Sequence, residues 1–133
     1  MSATGAVVSA SKIERQEWPG MGSLGFIADS SDRILGDLFF EPGDAFNFHH
    51  HPNQEEVLYM TEGSLEAWVG DEKTTIGVGD ALVLPAGTIH ACFNVSDATA
   101  KMVVTLSPKI ETEEMGFELV DVNGEEPWAS LRE

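Results

Sequence analysis

Two short stretches of this chain carry glycine, histidine, proline and acidic residues at fixed spacings, and they constrain the fold more than any other feature. The first stretch places two histidines and a glutamate between two glycines, at Gly43, His49, His51, Glu56 and Gly63. The second combines a glycine, a turn, a histidine and an asparagine, at Gly79, Pro85, Gly87, His90 and Asn94. Together they offer three imidazoles and one carboxylate, a donor set that suits a divalent transition metal.

Short apolar runs separated by turn residues predict an all-β fold. Candidate strands lie at 34–40, 56–60, 64–69, 74–76, 81–84, 89–93 and 101–106. The run at 64–69 alternates with a period of two and ends at Gly70-Asp71, a hairpin signal. Many short strands with regular turn signals are typical of an antiparallel sandwich or barrel. The only helical expectation is a single turn at 111–116.

The length of 133 residues predicts one domain, 1–133. No apolar run reaches the length of a membrane helix, and residues 1–18 lack the features of a secretory signal, so we expect a cytoplasmic protein. Cys92 is the only cysteine, which excludes an intrachain disulfide. We expect the polar C-terminal stretch, 125–133, to be loosely packed apart from Trp128 and Leu131.

The charge balance is strongly acidic, with 7 basic and 23 acidic residues and a net charge of −16. Such a surface repels phosphate backbones and anionic lipid, so we expect neither nucleic-acid nor membrane binding. Net charge of this size is explained either by solubility alone or by adaptation to high salt, where screening removes self-repulsion. The sequence leaves both explanations open.

The order of the histidines predicts how they point. Residues two apart in a strand share a face, so His49 and His51 should aim together while His50 aims outward. The bend at 52–54 can return an acidic side chain, either Glu55 or Glu56, toward these imidazoles. His90 follows the tight turn at 85–88, which should set it at the start of a strand on a facing sheet.

The two stretches resemble the paired motifs of the cupin superfamily. Every defining position of both motifs is present between residues 43 and 94, and the short gap between Gly63 and Gly79 is similar to that of small single-domain bacterial cupins. The resemblance implies a double-stranded β-helix, a jelly-roll barrel with its core at about 34–107, and a homodimer. It implies that the metal ligands are His49, His51, Glu56 and His90. The six residues between Glu56 and Gly63 favour Glu56 over Glu55 as the carboxylate ligand.

Neighbouring residues have structural as well as functional interpretations. Cys92 should share the face of His90, either as a small buried hydrophobe or as a thiol near the metal. Asn94 should secure the following turn through bonds to backbone. Alternation places four residues in the pocket or in plain core: Asn47, Leu58, Met60 and Leu84. By the same alternation, Phe46 and Phe48 should face away from the ligands.

The ligand set limits the chemistry without naming a substrate. Three neutral imidazoles and one carboxylate leave one net positive charge on a divalent ion of Fe, Mn, Ni, Cu or Zn. Such a site favours a small anionic molecule that binds through two oxygens, which points to a dioxygenase or, next, to an isomerase or decarboxylase. There are two alternatives to an enzyme: a binding or sensing module without turnover, and a purely structural barrel. Whether the chain is an enzyme, and what any catalytic residues beyond the ligands are, stay open. No Ser-His-Asp set, phosphate loop or helix-turn-helix segment is evident.

Overall fold

The computed structural model describes residues 5–30, 32–110 and 117–133. Over these ranges nearly all of the regular secondary structure is β-strand, as the turn-rich sequence predicts. The first elements are a short 3-10 helix at Ala10–Lys12 and the strands β1 Arg15–Trp18, β2 Gly22–Asp29, β3 Ile34–Phe40, β4 Ala45–His50 and β5 Glu55–Glu62. The later strands are β6 Ser64–Val69, β7 Glu72–Gly77, β8 Ala81–Leu84, β9 His90–Phe93, β10 Ala100–Ser107 and β11 Val120–Asp121.

Within the described residues the strands form two antiparallel sheets. The six-stranded sheet has the order β1-β2-β3-β10-β5-β8, and the five-stranded sheet has the order β11-β4-β9-β6-β7. Strands β3 and β10 alternate strictly between buried and half-buried residues. This alternation gives each strand one face toward the space between the sheets, which is how a sandwich builds its core. The predicted all-β double-stranded β-helix is therefore confirmed.

The core between the sheets takes side chains from both of them. Leu38, Phe40 and Met102 of the six-stranded sheet belong to the same buried cluster as Leu65 and Cys92 of the five-stranded sheet. Phe40 and Met102 have no exposed surface. Part of this cluster, including Leu38 and Phe40, also lines a cavity between the sheets.

A second apolar cluster lies on the other face of the five-stranded sheet. It contains Phe48, Trp68 and Phe93, with Trp128 and Leu131 packed against it. The rings of Phe48 and Trp128 lie 5.3 Å apart. The C-terminal stretch therefore covers this face of its own sheet, and the expectation that Trp128 and Leu131 are packed is confirmed.

Turn glycines set the register between strands. Gly63 joins β5 to β6 with φ +74°, and a Cβ there would lie 2.5 Å from the Thr99 carbonyl oxygen. Only glycine meets both conditions without strain. The predicted Gly70-Asp71 hairpin also forms, linking β6 to β7.

Some elements depart from the sequence expectation. Strands β1, β2 and β11 were not predicted, because β1 is polar, β2 is interrupted by glycines and β11 has only two residues. The helical turn expected at 111–116 lies outside the described residues. No helix among the residues that the structure describes is long and apolar enough to span a bilayer.

Candidate metal centre

Three histidines from the two sequence stretches meet between the sheets. His49 on β4 pairs directly with His90 on β9, and His51 follows the end of β4. Their exposed fractions are only 6%, 2% and 5%. One ring nitrogen from each lies within 4.8 Å of the others. The pairing of β4 with β9 therefore creates a buried three-histidine group.

Backbone carbonyls fix the tautomer of all three rings. His49 Nδ1 contacts the Asn47 carbonyl, His51 Nδ1 lies 2.8 Å from the Glu118 carbonyl, and His90 Nδ1 lies 2.9 Å from the Thr88 carbonyl. A carbonyl oxygen only accepts hydrogen bonds, so each Nδ1 must carry the proton. When a ring protonated at Nδ1 is neutral, its Nε2 presents a bare lone pair. This arrangement orients histidines in metal sites.

Glu56 on β5 supplies the carboxylate from the facing sheet. Its Oε1 lies 3.0 Å from His90 Nε2, and its Oε2 lies 3.5 Å from His51 Nε2. The residue is 8% exposed, whereas the neighbouring Glu55 is exposed to solvent. Strand alternation explains the difference, because adjacent residues point to opposite faces. Glu56, not Glu55, lies beside the histidines.

Burial and the carboxylate together set the charges of this group. Burial, with His90 adding, lowers the pKa of His49 to about 3, so this ring is neutral at pH 7. Burial alone would raise the pKa of Glu56, but His51 and His90 hold it below its ordinary value. Burial alone would lower the pKa of His90, yet Glu56 raises it above 6.5. The Glu56 carboxylate is thus ionised, and its negative charge favours a positive charge on or next to His90.

These donors fit a metal ion. When His90 is neutral, its buried Nε2 and the Glu56 oxygen 3.0 Å away are two acceptors that face each other with no proton between them. A buried polar atom left in this state costs free energy, and a cation shared with the carboxylate would satisfy it. Imidazole nitrogens and a carboxylate are ligands that divalent transition metals accept together. The three histidines form a group that can hold such an ion.

An apolar cavity opens beside the histidines and Glu56. Its volume is about 60 Å³. Most of its wall is aliphatic or aromatic and comes from β2, β3, β5 and β10, with Phe117 and Leu119 contributed by the chain that precedes β11. The polar atoms are therefore concentrated at one end of an apolar pocket, as in sites for small organic molecules.

The prediction for Phe46 was wrong. Its ring lies 5.6 Å from that of His49 and lines the cavity, so both side chains face inward. The pairing of β4 with β9 shifts register between Phe46 and His49, and this irregularity breaks the strict alternation assumed from the sequence. Phe48 does face away, within the second apolar cluster.

The four residues assigned to pocket or core divide between several environments. Leu58 lines the cavity. Met60 and Leu84 are buried core residues that do not reach it, with exposures of 0% and 1%. Asn47 is exposed, and its contribution is the backbone carbonyl that holds His49. His50 also lies off the cavity wall, as the strand parity predicts.

Cys92 and Asn94 take structural roles. Burial, with Glu56 adding, raises the pKa of the Cys92 thiol to about 12, so it stays protonated and packs as a small apolar side chain. Asn94 is buried, and its Nδ2 donates to the carbonyls of Phe40 and Ala98. Its Oδ1 accepts from Ser96. The prediction that Asn94 secures the following turn is confirmed.

Sequence reasoning missed Gln54, which supports His51 indirectly. Gln54 is 1% exposed, donates from Nε2 to the Pro108 carbonyl at 3.0 Å and accepts from the Glu118 backbone N–H at 3.2 Å. Glu118 in turn presents the carbonyl that holds His51. No residue-type signal marks Glu118, because only its backbone acts on the ring. The polar Gln54 within the bend at 52–54 was the one available hint.

Comparison with known proteins agrees with this architecture. The chain is 35% identical over 75 residues to the polyketide synthase CurC of Streptomyces cyaneus, and this match covers 56% of this chain and 49% of CurC. It is 27% identical over 118 residues to the tetracenomycin polyketide synthase protein TcmJ of Streptomyces glaucescens, covering 86% and 79% of the two chains. The chain thus spans about half the length of CurC.

A solved structure and a family model complete the comparison. The structure of KdgF from Halomonas sp. superposes with a TM-score of 0.75 at 23% identity, covering 84% of this chain and 99% of KdgF, which shows a shared fold. The model of the cupin domain matches residues 37–106, a range that includes the three histidines and Glu56. This chain, with its two facing sheets and its three-histidine group, belongs to the cupin family.

Proposed function

We propose that His49, His51, Glu56 and His90 hold a divalent transition metal and that the site acts on a small organic molecule that binds through two oxygens. The observation that carries this proposal is the common arrangement of the three imidazoles. Each Nδ1 is committed to a carbonyl, so Nε2 of each ring is the nitrogen left to bind a metal, beside an ionised carboxylate. When bound, the metal would supply Lewis-acid chemistry, or redox chemistry if it is iron.

The protein's own residues define the charge and the surroundings of the ligand. Three neutral imidazoles and one carboxylate supply a single negative charge toward a divalent ion, which leaves one net positive charge to attract an anion. The apolar wall excludes water from the bound molecule, and electrostatic attraction is stronger in such surroundings. An enolate, a diketonate or a carboxylate meets these conditions.

Oxygenase chemistry is the reaction class that this cavity supports best. Among the described lining residues, the only ionisable group beyond the proposed ligands is Cys92, whose raised pKa makes it a poor base. An isomerase or decarboxylase that needs a separate proton carrier gains no support from this lining. A reaction between the metal, O2 and a chelated substrate needs no such group. The names of CurC and TcmJ are compatible with dicarbonyl substrates, since polyketide chains repeat that unit.

A non-catalytic binding module is the second candidate. The same lack of a separate acid or base in the described cavity wall favours it. Oligomeric state does not separate the two candidates, and a homodimer and a cytoplasmic location remain part of the proposal.

Reconstitution separates the two candidates. Metal-free protein would be loaded with Fe, Mn, Ni, Cu or Zn and mixed with diketones, catechols and keto acids while oxygen uptake and product formation are recorded. We expect one metal per chain, perturbation of its spectrum by bidentate anions, and oxygen consumption with the iron form. Spectral perturbation without turnover would favour the binding module. A metal that no panel member perturbs would contradict both candidates.

A further inference from the structure

The cavity wall beyond the metal-binding end offers a ligand almost no polar partner. Six of its side chains are Leu24, Phe26, Leu38, Phe40, Leu58 and Val104. Among the described lining residues there is no lysine, arginine, serine, threonine, asparagine or glutamine. Apart from the indole N–H of Trp18, the polar side-chain atoms belong to the histidines, Glu56 and the weakly polar thiol of Cys92.

We infer that the ligand of this site is a small chelating molecule whose body, beyond its two chelating oxygens, is apolar and uncharged. This inference rests on the proposed metal site and adds the substrate class to it. The chelating head would occupy the histidine end, and the body would contact the aliphatic and aromatic wall.

The inference follows from the cost of burying polar groups without partners. A hydroxyl transferred from water into such a wall loses its hydrogen bonds, and a second carboxylate or a phosphate loses far more. Beyond the histidines, the pocket has no cationic side chain among its described residues to compensate, and the chain's net charge of −16 adds repulsion. Sugars, sugar phosphates and dianions are therefore disfavoured as ligands.

The cavity volume limits the ligand to a compact molecule. At about 60 Å³, the space accommodates about four water molecules on a scale of roughly 15 Å³ each. Four water molecules fill roughly 120 Å³ of liquid, at about 30 Å³ each. The molecular volume of a single ring with one small substituent is of this order, so single-ring probes are suitable for a test.

Three hydroxypyranones with the same chelating head provide that test. Allomaltol carries a methyl group at the position where kojic acid carries a hydroxymethyl group and comenic acid a carboxylate. Each would be titrated into Co(II)-loaded wild-type protein while the cobalt absorption bands are followed, and each affinity would be divided by that for free Co(II). We expect allomaltol to bind about tenfold more tightly than kojic acid, and comenic acid to bind weakest.

A matched pair of variants locates the selecting surface. Val104→Thr adds one hydroxyl to the cavity wall with little change in shape, whereas Val103→Thr makes the same change on the other face of β10. We expect the allomaltol preference to fall severalfold in Val104→Thr and to stay unchanged in Val103→Thr.

The outcomes separate this inference from the proposed function. If all three probes perturb cobalt with equal normalised affinity, or comenic acid binds best, the apolar-body inference fails while the open metal site stands. If none of them perturbs cobalt, the proposed function fails and the inference with it. If Val104→Thr and Val103→Thr change the preference for allomaltol over kojic acid equally, the cavity wall does not select the ligand and the inference also fails.

Discussion

At the scale of single residues, the site depends on how each histidine uses its two nitrogens. One nitrogen is held by a backbone carbonyl, and the other is left for a ligand. His50 is the natural control, because it lies between two of these rings and points away from the cavity. The Nδ1 of His50 is buried and has no hydrogen-bond partner within the described residues. Burial of a histidine nitrogen alone therefore does not identify the three proposed metal ligands.

Removing one imidazole should therefore open the metal site. We expect His49→Ala, His51→Ala and His90→Ala each to weaken metal binding by more than about tenfold, since even indirect supports of metal ligands contribute 10–100-fold. His50→Ala should bind metal like the wild type. Equilibrium titration and elemental analysis measure the effect. Loss of metal in the His50 variant with retention in the His51 variant would contradict the strand parity described here.

The carboxylate permits a sharper comparison between adjacent residues. Glu56→Gln keeps the shape of the side chain but removes the only negative charge among the proposed ligands, so we expect weaker metal binding. Glu55→Gln changes an exposed residue and should have no effect. The same titrations compare the two variants. Equal losses of metal affinity in both variants would show that Glu56 acts through the overall negative charge of the protein and not as a metal ligand.

At the scale of structural elements, two connections hold chain segments onto the barrel. Gln54 joins Pro108 to Glu118 beside the site. On the far face of the five-stranded sheet, Arg132 donates to Glu66 at 2.6 Å and stacks over the Phe93 ring at 3.7 Å. The three hydrogen bonds each span more than fifty positions of sequence, which is why local patterns did not predict them.

Gln54→Leu should disturb the metal site without touching a ligand. The change leaves the Pro108 carbonyl and the Glu118 N–H without these partners, so the carbonyl that orients His51 should shift. We expect metal affinity to fall about tenfold and the Co(II) spectrum to change. Asn53→Ala, which removes only a side-chain contact to the Glu118 carboxylate, is the matched control. An unchanged spectrum in Gln54→Leu would refute the orienting role.

Arg132→Met should loosen the C-terminal stretch in a pH-dependent way. Burial alone would raise the pKa of Glu66, but Arg132 and the Trp68 indole hold it below its ordinary value of 4.5. The contribution of this pair is therefore present above pH 4.5 and is lost as pH falls through the lowered pKa of Glu66. We expect a loss of roughly 1 kcal/mol at pH 7 by urea unfolding, since the pair is partly exposed.

The pH series provides the check on this assignment. The difference between wild type and Arg132→Met should shrink below pH 4.5 as Glu66 becomes protonated. Arg33→Met, which removes an exposed ion pair with Asp32, should cost little at any pH. A difference that stays constant while Glu66 becomes protonated would mean that Arg132 acts through packing on Phe93 alone.

At the scale of the whole molecule, the sequence predicted the parts that depend on local periodicity. The alternation of 64–69, the Gly70-Asp71 turn and the two-residue spacing of His49 and His51 all indicated the barrel and its site. Phe46 was placed on the wrong face because a register shift between strands leaves no mark in composition. The carbonyl of Glu118 was invisible because any residue type can provide it. The reading of 1–133 as one domain stays a prediction.

The net charge of −16 predicts a response of the whole molecule to salt. Screening should reduce repulsion among the acidic side chains of the folded state, so the melting temperature should rise from low to molar salt. If screening contributes about 1 kcal/mol, the rise is roughly 4 °C for a chain of this length. Calorimetry in a non-chelating salt series measures it. A flat or falling melting temperature would exclude dominant self-repulsion and the high-salt explanation.

Anomalous diffraction at the metal edge, from crystals of Mn- or Zn-loaded protein, tests the proposed metal centre most directly. The arrangement of the three imidazoles and the ionised carboxylate predicts one peak per chain between the facing sheets. That peak should lie about 2.0–2.2 Å from Nε2 of His49, His51 and His90 and from one oxygen of Glu56. A peak bonded to Glu55 or to an Nδ1 atom, or no peak between the sheets in protein shown to contain metal, would contradict the account.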